Sequence, residues 1–284
     1  MPTYVSTSCL PAESSVFAIL EAYARAGLTE IELGNGREYI QDVSPDRFRR
    51  YGTRFIVHNY FPPPREPLIV NLASHNSEIL QQSRAHIKNS IAFCHDLGCD
   101  LFSFHAGFRA DPDDMLVFPK ADRVCDYEAA FQTFVDSVKE IDEYAQTKGV
   151  KIAVENNVLS SRNVVDGQNP YLLLCTADEF EEFWHRIDSS NVGLLLDLGH
   201  LKVTSHWLRF DRYRFIDRLA GKVFAFHLHE NDGLDDQHLQ LDDTSWCLQV
   251  IRNARFAGVP AILETPVSSI QEIVSQVRLL ESPC

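Results

Sequence analysis

Short apolar runs alternate along the chain with longer stretches in which apolar residues recur every three or four positions. Eight of the short runs read as strands: TYVSTS (3–8), EIEL (30–33), FIVHN (55–59), LFSFHAG (101–107), KIAVEN (151–156), VGLLLDLG (192–199), VFAFHLH (223–229) and AILET (261–265). Between them the period predicts helices over 12–26, 76–97, 126–147, 177–187, 243–256 and 267–281. A short helix is expected over 45–51, and residues 211–219 are a further candidate. Val16, Ile19, Leu20, Tyr23 and Ala24 share one face of the first helix; Ile79, Leu80, Ile87, Ile91 and Leu97 share one face of the second long one. Gly27, Gly98, Gly149 and Gly258 each fall between a helix and a strand, where a helix stop belongs. This βα alternation predicts an α/β fold. No Gly/Ser/Pro-rich linker divides the 284 residues, a length that suits one (β/α)8 barrel as a single catalytic domain over 1–284. The competing doubly wound sheet usually carries a glycine-rich phosphate loop after its first strand, and this sequence has none there.

Nearly every strand closes on a polar or ionisable residue: Glu32, His58, His105, Glu155, Asp197, His227 and Glu264. Strand one closes only on small hydroxyl residues. A barrel aims all of these at one mouth, at the C-terminal ends of its strands. Clustered carboxylates cannot share a dry site without compensation, and a divalent cation is the natural compensator. Asp197 and His200 lie three apart in LDLGH, with His200 expected in the loop after strand six. His227 and His229 would face the same side of a strand. Asp236 and His238 form a D-x-H pair in the loop after strand seven and read either as further ligands or as a solvated loop. Mixed carboxylate and imidazole ligation suits Zn²⁺ or Mn²⁺ best, with Mg²⁺ and Co²⁺ also compatible.

The net charge is −14, which argues against nucleic acid as a partner held through a broad basic surface. A local cationic site inside an acidic protein is still compatible with that charge. No run is apolar and long enough for a membrane span, and the N-terminus lacks the pattern of a secretory signal. The seven cysteines (Cys9, Cys94, Cys99, Cys125, Cys175, Cys247 and Cys284) contain no CxxC and are expected as free thiols, which points to the cytoplasm.

At its strand ends the chain resembles the xylose isomerase-like TIM-barrel superfamily, which includes sugar phosphate isomerases and epimerases and also endonuclease IV. The resemblance rests on NLAS (71–74), DLG (96–98), FHAG, VENN, DLGH, the block HLHEND followed by D-x-H, and the final LET. In the epimerase branch it implies one metal held by Glu155, Asp197, His227 and Glu264. The two glutamates would then move a proton on carbon through an enediolate, with His200 steering substrate oxygens. In the endonuclease branch it implies three zinc ions: one on His58, His105 and Glu155, one on Asp197, His227 and Glu264 with Glu155 bridging, and one on His200, Asp236 and His238. The chain departs from the nuclease in NNVLSSRN after Glu155, which lacks a glycine-rich stretch, and in a tighter spacing from His227 to the D-x-H pair.

The expected function is a metal-dependent isomerase or epimerase of a small carbohydrate. An endonuclease IV-like phosphodiesterase and a non-catalytic metal-binding barrel are the alternatives. His58, His105, Arg109, Lys202 and His229 are candidate substrate contacts. Arg109, Arg162 and Lys202 are where a substrate phosphate would be sought. Barrels of this superfamily are often dimers or tetramers, so a homo-oligomer is compatible with the reading.

Overall fold

The computed structural model describes every residue except 12–14, 35–38, 114–116, 121–122 and 283–284. Cys284 and the first residues of the helix expected over 12–26 therefore lie outside the described residues. Eight parallel strands close into a barrel in chain order: β1 (Thr3–Ser6), β2 (Glu30–Leu33), β3 (Arg54–His58), β4 (Leu101–His105), β5 (Lys151–Glu155), β6 (Val192–Asp197), β7 (Val223–Leu228) and β8 (Ala261–Leu263). Closure pairs Tyr4 of β1 with Ile262 of β8. The surrounding helices are α1 (Val16–Arg25), α2 (Pro45–Arg49), α3 (Ser77–Leu97), α4 (Tyr127–Lys148), α5 (Ala177–Ile187), α6 (Leu198–Leu208), α7 (Arg212–Leu219), α8 (Trp246–Ile251) and α9 (Ile270–Glu281). No helix among the described residues is long and apolar enough to cross a membrane.

Each strand divides its side chains between two cores, because successive residues point to opposite faces. Val57, Phe102, Phe104, Val154, Leu196, Phe226 and Leu263 point outward and pack under the helices. Tyr4, Ile56, Leu101, Ala153, Leu195, Ala225 and Ile262 point inward and plug the barrel. Two residues further along the inward face come His58, Ser103, Glu155, Asp197, His227 and Glu264. The apolar plug is therefore the floor on which the polar mouth is built.

Helix ends follow their local signals. Asn76, Asp126, Thr176, Asp211 and Ser269 each cap a helix by accepting from a backbone N–H of the first turn. Gly98 and Gly149 adopt φ of 85° and 66° at the ends of α3 and α4, a conformation that favours glycine. The structure differs from the sequence reading mainly at strand six. VGLLLDLG is strand only to Asp197; Leu198 and Gly199 already belong to α6, and His200 sits on its first turn. Asp197 forces that boundary, since its Oδ1 accepts from His200 N at 2.6 Å and caps the helix. The helix expected over 243–256 is α8 followed by a separate 3₁₀ turn at Ala254–Phe256, and Ala24 lies exposed.

Leu195 is fully buried in the plug, directly below Asp197. Leu195→Ala should cost about 2–5 kcal/mol by lost burial and the cavity left behind. Thermal unfolding checks this; an unchanged midpoint contradicts the plug.

Candidate metal centre

Among the described residues, six histidines and five carboxylates converge at the C-terminal ends of the strands. They form four groups, within each of which the ligand atoms lie within 4.8 Å of one another: Glu155/Asp197/His227/Glu264, His58/His105/Glu155 and Glu32/His58/His227, which share members, and His200/His229/Asp236/His238, which shares none with them. All the ligating residues expected from sequence are in these groups. Glu155 is the hub. His105 Nδ1 lies 3.0 Å from its Oε2, His58 Nε2 3.5 Å from Oε2, and His227 Nδ1 and His200 Nδ1 3.3 and 3.4 Å from Oε1. Glu264 Oε2 approaches the same His227 Nδ1 at 3.0 Å.

Backbone and side-chain acceptors fix which nitrogen each ring offers. His200 Nδ1 donates to the Asn156 carbonyl at 3.0 Å, and His238 Nδ1 to the Glu264 carbonyl at 2.8 Å. A carbonyl only accepts, so Nδ1 carries the proton and Nε2 is left with its lone pair. Both Nε2 atoms face Asp236 Oδ2, at 3.3 and 3.2 Å. His58 Nδ1 is engaged by Ser103 Oγ at 2.9 Å, which turns Nε2 toward Glu155. Asn156 also braces the neighbouring strand, donating to the Asp197 carbonyl and accepting from Asp197 N.

The donors fit a divalent cation. Both carboxylate oxygens of Glu155 and His227 Nδ1 are buried without a hydrogen bond of good geometry, although charged or polar atoms stand close by. Atoms that crowd together without bonding one another are aimed at a common point. Leaving such groups bare costs several kcal/mol per buried charge. With only protons to balance it, the carboxylate field acts on the rings. Burial opposes charge on His227, yet Glu32, Glu264 and Glu155 raise its pKa well above the ordinary value. Asp197 and Asp236 do the same for His200. Burial also opposes charge on His238, but its bond to Asp236 pushes it up to about 9. Burial would raise the Glu155 carboxyl, but His105 and His227 hold it well below the usual range. Desolvation lowers His58. A bound cation would take the place of these protons.

Other expected site residues are placed as follows. His229 is fully buried, stacked on His238 with ring centroids 3.8 Å apart, and its Nε2 is 3.2 Å from Asp197 Oδ1. Asp236 and His238 are mostly buried, each 24% exposed, so they do not form a solvated loop. Arg109 donates through Nε and Nη2 to the Cys125 carbonyl, on the rim of a cavity of about 570 Å³ shared with His75 and Arg123. Lys202 is ion-paired with Glu230 and also donates to the Asn231 carbonyl. Arg162 is exposed. Glu32, expected only as one of the polar strand ends, accepts from His227 Nε2 at 2.9 Å. Sequence reasoning missed Asn156, Ser103 and Gly199. The repeated amide in VENN was the one signal available for Asn156.

Gly199 has no room for a side chain: a Cβ there would lie 2.0 Å from His229 Cε1. Gly199→Ala should push the His229 ring out of place and reduce the rise in thermal midpoint produced when Zn²⁺ or Mn²⁺ is added to chelator-treated protein. For the unaltered chain, a chelator should lower that midpoint and added metal should restore it; no response to either contradicts the site.

Comparison with known proteins agrees with the geometry. The chain is 24% identical over 233 residues to the uncharacterized protein MJ1311 of Methanocaldococcus jannaschii, covering 82% of this chain and 70% of the relative. It is equally identical, over 233 residues, to a protein named probable endonuclease 4 from Phocaeicola vulgatus, covering 77% and 76%. The crystal structure of a D-tagatose 3-epimerase-like protein superposes with a TM-score of 0.76 at 21% identity, over 99% of this chain and 96% of that one. The family model for the xylose isomerase-like TIM barrel matches residues 20–282, nearly the whole barrel with its cluster of metal-ligand types, and the chain belongs to that family.

Proposed function

We propose that the chain is a metal-dependent isomerase or epimerase of a small carbohydrate. The observation that carries this reading is the meeting of two carboxylates at one atom: Glu155, ending β5, and Glu264, just past β8, approach His227 Nδ1 at 3.3 and 3.0 Å. A divalent ion held by Glu155, Asp197, His227 and Glu264 would polarise a substrate carbonyl and the hydroxyl beside it. One glutamate takes the proton from the carbon next to that carbonyl, and the other returns a proton to the substrate. Glu264 is the more accessible of the two, 17% exposed against 1% for Glu155. His105 is the most open ring of the cluster, 37% exposed, and would meet an entering substrate first. His200, held through Nδ1, steers substrate oxygens, and His58, edge-on to His105 with ring centroids 5.0 Å apart, backs that ring. Arg109 and Lys202 are both engaged by protein acceptors, which favours an uncharged sugar over a sugar phosphate. Similarity to a protein titled D-tagatose 3-epimerase-like supports the same class. The six described cysteines are free thiols, which fits a reducing cytoplasm.

A second reading, an endonuclease IV-like phosphodiesterase, is favoured by one feature. His200, His229, Asp236 and His238 form a group beside those around Glu155, enough donors for more than one cation.

Incubated in deuterated water with Mn²⁺ or Zn²⁺ and a panel of ketoses, the protein should place deuterium on the carbon next to a substrate carbonyl. Glu264→Gln should reduce that exchange by about 10²–10⁴-fold. No exchange across the panel, together with cleavage of abasic-site DNA, would give the site to the phosphodiesterase; exchange that survives Glu264→Gln removes Glu264 from catalysis.

A further inference from the structure

His227 differs from the other rings of the cluster in what holds its far nitrogen. His58 is held by a hydroxyl, and His200 and His238 are held by backbone carbonyls, all neutral groups. His227 alone among these is held by a carboxylate, Glu32 Oε2, at 2.9 Å from Nε2. Both residues are fully buried. Glu32 projects from β2, which β1 and β8 separate from β7 around the barrel, so the bond crosses the interior between strands that are not neighbours.

We propose that Glu32 is a positioning residue that holds His227 with its proton on Nε2 and its Nδ1 lone pair aimed at the divalent cation. The proposal rests on the metal reading of the site. A buried carboxylate is costly unless it is paired, and His227 is the partner that Glu32 has. Its second oxygen, Oε1, is buried without a hydrogen bond. The backbone closes over that oxygen at Gly34, where a Cβ would stand 3.2 Å from Oε1. The carboxylate is thus packed in place and has one direction in which to act. A negatively charged acceptor on Nε2 increases the electron density that Nδ1 offers a metal, and it fixes the ring plane. His227 is also the ring that Glu155 and Glu264 both approach, so setting it sets the ligand group the proposed proton transfer depends on. A ligand held this way should make Glu155/Asp197/His227/Glu264 the tightest of the candidate positions.

The test is calorimetric titration of chelator-treated protein with Zn²⁺ and, separately, with Mn²⁺. Glu32→Ala should weaken the tightest binding step by about 10–100-fold. Glu32→Gln, which keeps an acceptor oxygen but loses the charge, should fall between. In the zinc-loaded protein, ¹⁵N spectra of the histidine rings should show His227 protonated at Nε2, with that signal broadened or shifted in Glu32→Ala. Affinity within twofold of the unaltered protein in both variants, with only the stability of the metal-free form changed, assigns Glu32 a structural role and overturns the proposal. If Glu32→Ala does not fold, the Gln variant decides by the same criterion. Failure of the unaltered protein to bind either ion would overturn the metal reading itself, and this proposal with it.

Discussion

Concentrated buried negative charge is the constraint around which this barrel is arranged. Glu32, Glu155 and Asp197 are almost wholly removed from water, and Glu264 and Asp236 are largely so. Desolvating that many carboxylates is far more costly than one hydrogen bond apiece could offset. Six imidazoles surround them, and the raised affinity of His200, His227 and His238 for protons records how strongly the pocket attracts positive charge. A divalent cation would satisfy the same field with a single centre, and the orphaned oxygens of Glu155 are where it is most needed. Binding of this kind is also folding energy, since the unfolded chain has no such site.

The barrel tolerates this charge because it separates the conflicting demands by layer. Phenylalanine, valine and leucine on the outward strand faces bind the helices, the inward apolar plug fills the middle of the barrel, and the polar cluster occupies the inward positions at the C-terminal ends of the strands. The polar layer is then fixed by bonds made at its edges. Asn156 ties β5 to β6, Ser103 orients His58, and Glu32 reaches across the interior to His227. Ligands carried on strand ends move with a rigid frame, which is what selective cation binding and proton transfer at fixed distance require. Asp197 shows the economy of the arrangement, since it ends β6, caps α6 and presents its other oxygen to the cluster.

Much of this was legible in the sequence, because a strand's period of two and a helix's period of 3.6 are local. Eight strands, the long helices and the polar strand ends all follow from spacing alone. The start of α6 did not: LLLDLG continues an apolar run, and only the capping bond from Asp197 turns it into a helix at Leu198. Spacing alone named the mouth residues, and only the family resemblance grouped them, since grouping depends on strand neighbours far apart in the chain. Glu32 and His227 are 195 positions apart, and nothing in EIEL names its partner. Arg109 and Lys202 stand at the right strand ends for anion contact, but their engagement by Cys125 and Glu230 depends on loop conformation, which residue pattern does not encode.

The donor geometry of this mouth is that of a divalent-cation site. Crystals of the protein soaked in MnCl₂, with diffraction recorded near the manganese absorption edge, test it directly. An anomalous peak is expected, ringed by Glu155, Asp197, His227 and Glu264 at about 2.0–2.3 Å from their ligand atoms, within the range of ordinary nitrogen and oxygen coordination. No peak there under saturating Mn²⁺, with the carboxylates held instead by protonated histidines, would contradict it.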